Sequence, residues 1–299
     1  MVGVGALNFD RLYRVPRVAK PGEEVMVNSR FCGGGGSAAN TIVGLARLGL
    51  ETGFIGMVGK DIEGDLILSE LRGEGVDIGG ISHVNGDTGE IIGLVDMEGE
   101  RVLYAYPGVN NELVINDQKR NYAGKAKYVH LSSFVGDTSL ESQRSLLGGL
   151  RANITFSPGM LYARRGINAI RDILQKSHIV FLNREELYLL TGKEHPDGVE
   201  ELLNLGVEIV SVTLGKEGCY VSTQRGGEEI PGYPARAVDT TGAGDAFAAG
   251  FIFGMLKNFD LRSCGKLGNK LASLCVEAVG ARTALPRKND IQEFISSLR

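Results

Sequence analysis

Asp239-Thr240-Thr241-Gly242-Ala243-Gly244-Asp245-Ala246-Phe247 decides how this chain is read, together with the apolar run from Ala248 to Leu256 behind it. Two carboxylates flank a turn of small residues, and the turn opens directly into a helix. Phe247, Phe251 and Met255 recur four apart, so they share one buried face. Gly242 to Asp245 then stand at the helix start, where backbone N–H groups lack intrahelical acceptors. Such a terminus attracts anions, phosphate above all. A carboxylate at the same place repels a bound phosphate. The conflict is resolved if Asp245 takes the proton from a hydroxyl that attacks the phosphate. A lone Asp in a first turn does no more than complement the helix dipole, and two glycines alone make a turn. The specificity lies in the whole string.

The surrounding chain is that of an ordinary globular protein. It has 299 residues, 43% hydrophobic and 23% charged, which allow one large α/β domain or two small ones. Its 43 glycines are about twice average usage. They cluster at element ends, which suits tight turns and close backbone approaches. The net charge is −4 with no long basic run, which argues against a nucleic-acid partner. No apolar stretch reaches the roughly 18 residues of a spanning helix, so no membrane partner is expected. The stretch Met1-Val2-Gly3-Val4-Gly5 lacks a basic start and a long apolar segment, so no secretory signal is expected. Cys32, Cys219, Cys264 and Cys275 form no CxxC pair and read as reduced thiols of a cytoplasmic protein.

Apolar runs alternate with helical patterns. Strands are predicted at Val2 to Leu7, Thr52 to Met57, Tyr128 to Leu131, Ile154 to Phe156, Ile179 to Leu182 and Ile209 to Thr213. Helices are predicted between them at Ser37 to Leu48, Leu140 to Leu150 and Gly166 to Gln175. This alternation argues for a mostly parallel central sheet covered by helices, an α/β fold whose ligands bind beyond the carboxyl ends of the strands. One region breaks the rhythm. Glu90 to Asp96 and Arg101 to Tyr106 flank Glu98-Gly99, a hairpin signal, and Val25 to Phe31 is strand-like far from a helix. These read as a small β-lid within a single domain over 1–299, formed by about 9–32 and 86–108. An ordinary hairpin on the main sheet is the alternative. An apolar lid face needs covering by substrate closure or by a second subunit, so a homodimer through the lid is expected.

A second glycine-rich start, Gly33-Gly34-Gly35-Gly36-Ser37-Ala38-Ala39-Asn40, precedes an apolar-periodic helix. Its glycines let a ligand approach the backbone, and Asn40 offers both a donor and an acceptor to a hydroxyl. Asn8 and Asp10, two apart on an extended segment, face the same side. The DTTGAGDAF string and this glycine-rich start resemble the two signatures of the ribokinase-like (PfkB-type) carbohydrate kinases, in the order and separation of that family. Gly56, Gly59, Asp61 and Gly64 continue the resemblance, which runs from Gly5 to about Pro286.

The resemblance implies a ribokinase-like three-layer α/β/α fold with a β-sheet lid and transfer of the γ-phosphoryl group of ATP to a sugar hydroxyl. Asp245 would be the base, and Gly242, Ala243 and Gly244 the anion hole. Asn8, Asp10, Gly35, Gly36, Asn40 and Asp239 would meet the acceptor, Asp239 holding either a hydroxyl or the turn itself. Asn183-Arg184-Glu185-Glu186 matches the family's Asn-x-x-Glu motif, whose oxygens orient waters around Mg²⁺. Read alone, it is a capped acidic helix start. Thr213, Gly215 and Gly218 lie in a stretch like the family's nucleotide loop, with Asn183, Gly242, Gly244 and Asn269 as further nucleotide contacts. The Ala278 to Ala284 stretch falls near the adenine or a monovalent cation. The implied potassium-type site uses Asp239, Thr241, Ala278 and Gly280, although Ala284 stands where several members have serine. Ser37 stands where ribokinases have lysine, which weighs against free ribose without excluding it. A nucleoside acceptor, with Phe9, Phe31 or Tyr104 against the base, stays open. So do a phosphosugar acceptor met by Arg164 or Arg165, and a non-catalytic module that senses a sugar or nucleotide. The P-loop-like Gly59-Lys60-Asp61 and the dinucleotide-like Gly3 to Asn8 each lack a required residue.

Overall fold

The structure is a computed structural model that describes residues 1–97 and 101–298, Arg101 by its backbone alone. The described strands are β1 (Val2–Val4), β2 (Asn8–Arg14), β3 (Ser29–Gly35), β4 (Thr52–Gly59), β5 (Val76–Val84), β6 (Gly89–Val95), β7 (Arg101–Tyr106), β8 (Tyr128–Ser132), β9 (Asn153–Ser157), β10 (Ser177–Asn183), β11 (Ile209–Thr213), β12 (Gly218–Thr223) and β13 (Gly226–Pro231). Nine of them form one sheet in the order β13-β12-β11-β10-β9-β8-β1-β4-β5. From β11 to β5 every neighbour pair is parallel, and β12 and β13 are antiparallel additions at one edge.

The period of two along a strand divides the core between the two faces of this sheet. Ile179 and Phe181 of β10 join one apolar cluster, with Phe247 and Phe251. Val180 and Leu182 join the other, with Phe156 and Tyr162. All eight residues of β4 are buried, as helices on both faces require. The Ala243–Leu256 helix is buried continuously from Ala246 to Gly254, so it runs inside the protein rather than along its surface. Phe247 and Phe251 are both enclosed and Met255 is partly so, as their spacing predicts.

A separate four-stranded sheet, β3-β2-β6-β7, forms the lid. It is mixed: β2 pairs parallel with β6, and the other two pairs are antiparallel. Its main strands extend beyond the 9–32 segment, from Asn8 to Gly35, so three residues of the glycine-rich start are lid strand rather than loop. Val25 to Asn28 are not strand, because β2 ends at Arg14 opposite Ser29 and no ladder partner remains for them. The Glu98-Gly99 turn lies outside the described residues.

The strand expected over Val2 to Leu7 stops at Val4. The chain leaves the main sheet there to enter the lid. Leu7, fully buried, is instead held by a side chain that imitates a backbone: its N–H donates to Asn110 Oδ1 at 2.9 Å and its carbonyl accepts from Asn110 Nδ2 at 2.9 Å. The segment Asn8-Phe9-Asp10 therefore starts a lid strand rather than ending the first core strand. Among the described residues, no helix is long and apolar enough to cross a membrane.

Candidate active site

Two helix starts meet at the carboxyl side of the parallel strands. One belongs to Ser37–Arg47, entered from β3 through Gly36, and the other to Ala243–Leu256. Gly242 caps the second helix at φ 79°, a left-handed conformation that glycine adopts freely. A Cβ there would lie 2.5 Å from the Cβ of Ala281. The turn thus has room for glycine only, and within it the Ala243 N–H donates to the Thr240 carbonyl at 3.2 Å.

Asp245 lies in that first turn and is partly exposed. Ser37 Oγ donates to Asp245 Oδ1 at 2.6 Å, and Asn40 Nδ2 donates to Oδ2 at 2.8 Å. Thr41 Oγ1 donates to the Asp245 carbonyl at 3.3 Å. One helix start therefore holds the carboxylate of the other. Asn40 is almost fully buried, and its Oδ1 accepts from Arg282 Nε at 2.8 Å. The acceptor atom of Asn40 is thus used within the protein.

Asp10 lies across Gly35: a Cβ on Gly35 would fall 2.2 Å from Asp10 Oδ2. Asp10 Oδ1 is buried without a hydrogen-bond partner. Burial pushes this carboxyl up to about 7, with Arg282 opposing and Asp245 and Glu70 adding to the rise. Asn8 Oδ1 accepts from Asn110 Nδ2 at 3.0 Å. Gly36, at φ 103°, passes so close to the Ala6 carbonyl that a Cβ would collide with it.

Two clefts flank Asp245. A small one of about 130 Å³ lies between lid and main sheet, lined by Asn8, Gly36, Ser37, Ile91, Tyr106, Asn110, Phe134, Val135 and Leu161 among others. A larger one of about 750 Å³ opens on the other side of the helix start. Thr213, Gly215, Lys216, Gly218, Tyr233, Thr240, Ala243, Gly244 and Asn269 help to line it. Asn269 is buried, and its Nδ2 donates to the carbonyls of Ile230 and Pro231 at 3.0 and 3.1 Å, so it shapes the wall by holding the end of β13.

Asn183 and Glu186 form a reciprocal capping box: Asn183 Oδ1 accepts from Glu186 N at 2.8 Å, and Glu186 Oε2 from Asn183 N at 3.0 Å. Burial raises the Glu186 carboxyl to about 7; the Asn183 N–H opposes this, and Asp245 and Glu185 add to it. Asp239 ties two loops together, its Oδ1 accepting from Thr241 N at 2.9 Å and its Oδ2 from Gly280 N at 2.8 Å. The Thr241 and Ala281 carbonyls both face the buried Cys275 thiol. Ala278 lies in the same loop as Gly280.

Sequence reading missed the roles of Arg282 and Asn110. The Ala278 to Ala284 stretch is expected near adenine or a cation, yet its Arg282 side chain runs to the opposite side and reaches Gly35 O at 3.2 Å. Arg165 donates to Asp137 and to the Val135 carbonyl, and neither it nor the exposed Arg164 lines the small cleft. Of the three aromatics considered for a base, Phe9 is buried in the core, Phe31 packs over Gly280, and Tyr104 is exposed on the lid. Tyr106 faces the cleft instead.

Comparison with known proteins gives the family and the fold. The family model described as pfkB family carbohydrate kinase matches residues 1–288. The chain is 40% identical to an uncharacterized sugar kinase of Archaeoglobus fulgidus, over 83% of this chain and 100% of that one. It is 33% identical to an ATP-dependent ribose-1-phosphate kinase of Halopiger xanaduensis, over 99% and 98% of the two chains. Among solved structures, Arabidopsis thaliana ribokinase complexed with ribose and ATP superimposes with a TM-score of 0.85 at 26% identity, covering 98% of this chain and 97% of that one.

Proposed function

The chain belongs to the pfkB family of carbohydrate kinases, ATP-dependent enzymes that phosphorylate sugars, and from that premise we propose how its own residues move the phosphoryl group. The acceptor occupies the small cleft beneath the lid, and ATP occupies the larger cleft. The acceptor hydroxyl lies against Asp245, which removes its proton as the bond to the γ-phosphorus forms. The N–H groups of Gly244 and Asp245, presented by the Gly242 turn, stabilise charge on the transferring group, whereas the Ala243 N–H is held by the Thr240 carbonyl at 3.2 Å and closes the turn. The observation that carries this reading is the Asp245 carboxylate, held by Ser37 and Asn40 where two helix starts meet, with Ser37 lining the small cleft and Ala243 and Gly244 lining the larger one.

Asn8 and Gly36 line the small cleft, and Asp10 and Gly35, packed against each other on the adjoining lid strands, complete the proposed acceptor site. The unpartnered Asp10 oxygen suits hydroxyl donors of a sugar. Asn183 and Glu186 fit a water-mediated Mg²⁺ site, because burial beside Asp245 leaves Glu186 with an ionisation cost that a cation offsets. Bound there, Mg²⁺ neutralises charge on the phosphates. The loops of Asp239, Thr241, Ala278 and Gly280 fit a monovalent cation of the potassium type, since Asp239 draws both loops together around a carboxylate.

Among the described residues, those lining the small cleft include no Lys or Arg, which supports an unphosphorylated acceptor. A nucleoside is the second reading, favoured by the apolar wall of Ile91, Phe134, Val135 and Leu161, which suits a planar base. Exposed Ile92, Leu103 and Tyr104 on the lid support a homodimer through that sheet, within a single-domain cytoplasmic enzyme. ADP release with MgATP and a panel of sugars, phosphosugars and nucleosides tests the reading. Turnover of a neutral sugar supports it, and binding without turnover for every compound overturns it. Light scattering tests the dimer.

A further inference from the structure

One buried cation has no place in the mechanism above. Arg282 is only 6% exposed and uses three different nitrogens on three different partners. Its Nε donates to Asn40 Oδ1 at 2.8 Å, one terminal nitrogen donates to Glu70 Oε1 at 2.9 Å, and the other donates to the Gly35 carbonyl at 3.2 Å. Glu70 in turn accepts from Gly34 N at 3.1 Å through its other oxygen. The guanidinium thus touches the end of lid strand β3 twice, once directly and once through Glu70.

Its contact with Asn40 matters most. A side-chain amide can be turned either way round, and its neighbours decide which way. Arg282 Nε–H can only donate, so it selects the Asn40 oxygen. That choice leaves the Asn40 nitrogen facing Asp245, whose ionised carboxylate can only accept. With the amide reversed, an oxygen would face a carboxylate and an N–H would face a guanidinium, two repulsive contacts in a buried place.

We propose that Arg282 is a positioning residue: it fixes the Asn40 amide so that Asn40 orients Asp245, and it ties that orientation to the root of the lid strand through Glu70 and Gly35. The proposal rests on Asp245 being the base. Arg282 stays remote from the transferred group and acts only through Asn40.

The first test needs no turnover. In ¹⁵N-labelled protein the Asn40 side-chain amide resonance is identified by its loss in Asn40→Ser. It is expected to move when Asp245→Asn is introduced, and to lose that response in Arg282→Met. An unchanged response in Arg282→Met overturns the relay, whatever the acceptor panel shows.

The second test uses MgATP with D-ribose, D-fructose and adenosine as acceptor probes. Arg282→Met is expected to lower kcat about tenfold, the scale of coupling between residues in one network, with the ATP KM within about twofold of wild type. In an Asp245→Asn background the same substitution should cost less than about twofold, because residues that act as a unit are not additive. Equal cost in both backgrounds means that Arg282 only supports the fold, and the proposal fails. Arg282→Lys keeps the charge and fills the site if the Met variant does not fold. Lacking the planar fork, it should still lose about fivefold in kcat; wild-type kcat in the Lys variant also overturns the proposal.

Discussion

On the proposed acceptor side of Asp245, Ser37 of the cleft wall is backed by a network of polar side chains that do not line the cleft themselves: Asn40, Arg282, Glu70 and, alongside them, Asp10. On the nucleotide side the wall is made largely of small residues and exposed backbone, with Gly215, Gly218, Gly232, Ala235, Ala237, Ala243 and Gly244 along the cleft. The difference reflects what each ligand demands. Phosphates are held well by N–H groups at a helix start, which any small residue can present. Telling one hydroxyl-bearing acceptor from another takes groups with direction and charge, and these must be held by neighbours. Substitutions on the acceptor side should therefore change chemistry or pH behaviour, whereas those on the nucleotide side should change geometry or ATP affinity.

The largest effect is expected where the two sides touch. Asp245→Asn should lower kcat by about 10²–10⁴-fold, the usual contribution of a placed base, while circular dichroism and thermal unfolding stay near wild type. Near-wild-type turnover would remove Asp245 from the chemistry. Next, Gly242→Ala forces a Cβ against Ala281 at a positive φ and should displace the anion hole. Its kcat is expected to fall about 10²-fold, comparable to losing one such donor. A loss confined to the ATP KM would show that the turn binds without stabilising the transferring group.

Asp10→Asn sharpens the contrast through pH. The Asp10 carboxyl is raised from 3.8 to about 7 in the folded protein. Between those values the folded state binds more protons than the unfolded one, so the contribution of Asp10 to stability falls as pH rises through that window. Asparagine does not ionise. The melting temperature of Asp10→Asn relative to wild type should therefore increase from pH 4 to pH 8, while its acceptor KM rises. A difference in melting temperature that is flat with pH would contradict the burial of this charge. The smallest effect is expected from Asn269→Ala, which leaves the Ile230 and Pro231 carbonyls without their donor. It should cost about 1–3 kcal/mol in denaturant unfolding and raise the ATP KM severalfold, with kcat little changed. A fall in kcat alone would place Asn269 on the wrong side of the comparison.

The same contrast explains what could be read from the chain. The wall of the larger cleft was legible because its parts are local: glycine turns follow a strand in Thr213 to Gly218 and precede a helix start in Asp239 to Phe247. The parallel sheet was legible because alternating runs such as Ile179 to Leu182 fill both faces at a period of two. Arg282 was not legible. Its partner Asn40 is 242 positions away, and nothing within the Ala278 to Ala284 stretch shows which way a long side chain turns. Asn110 escaped for a similar reason: it substitutes for a strand partner 103 positions upstream, and that substitution is also why the first strand ends early. The lid boundary shifted because glycines suit a strand that must lie against Asp10 as well as they suit a loop.

The late position of Arg282 has a consequence for biosynthesis. All the described strands lie before Gly232, so a nascent chain that has reached Cys275 already contains both sheets and the helix bearing Asp245. It does not yet contain the guanidinium that clasps Asn40, Glu70 and Gly35. Such non-local contacts close late. On the ribosome, the strands of both sheets are made before the clasp, and the Asn40–Asp245 corner takes its final form only when this later segment folds back onto the earlier one.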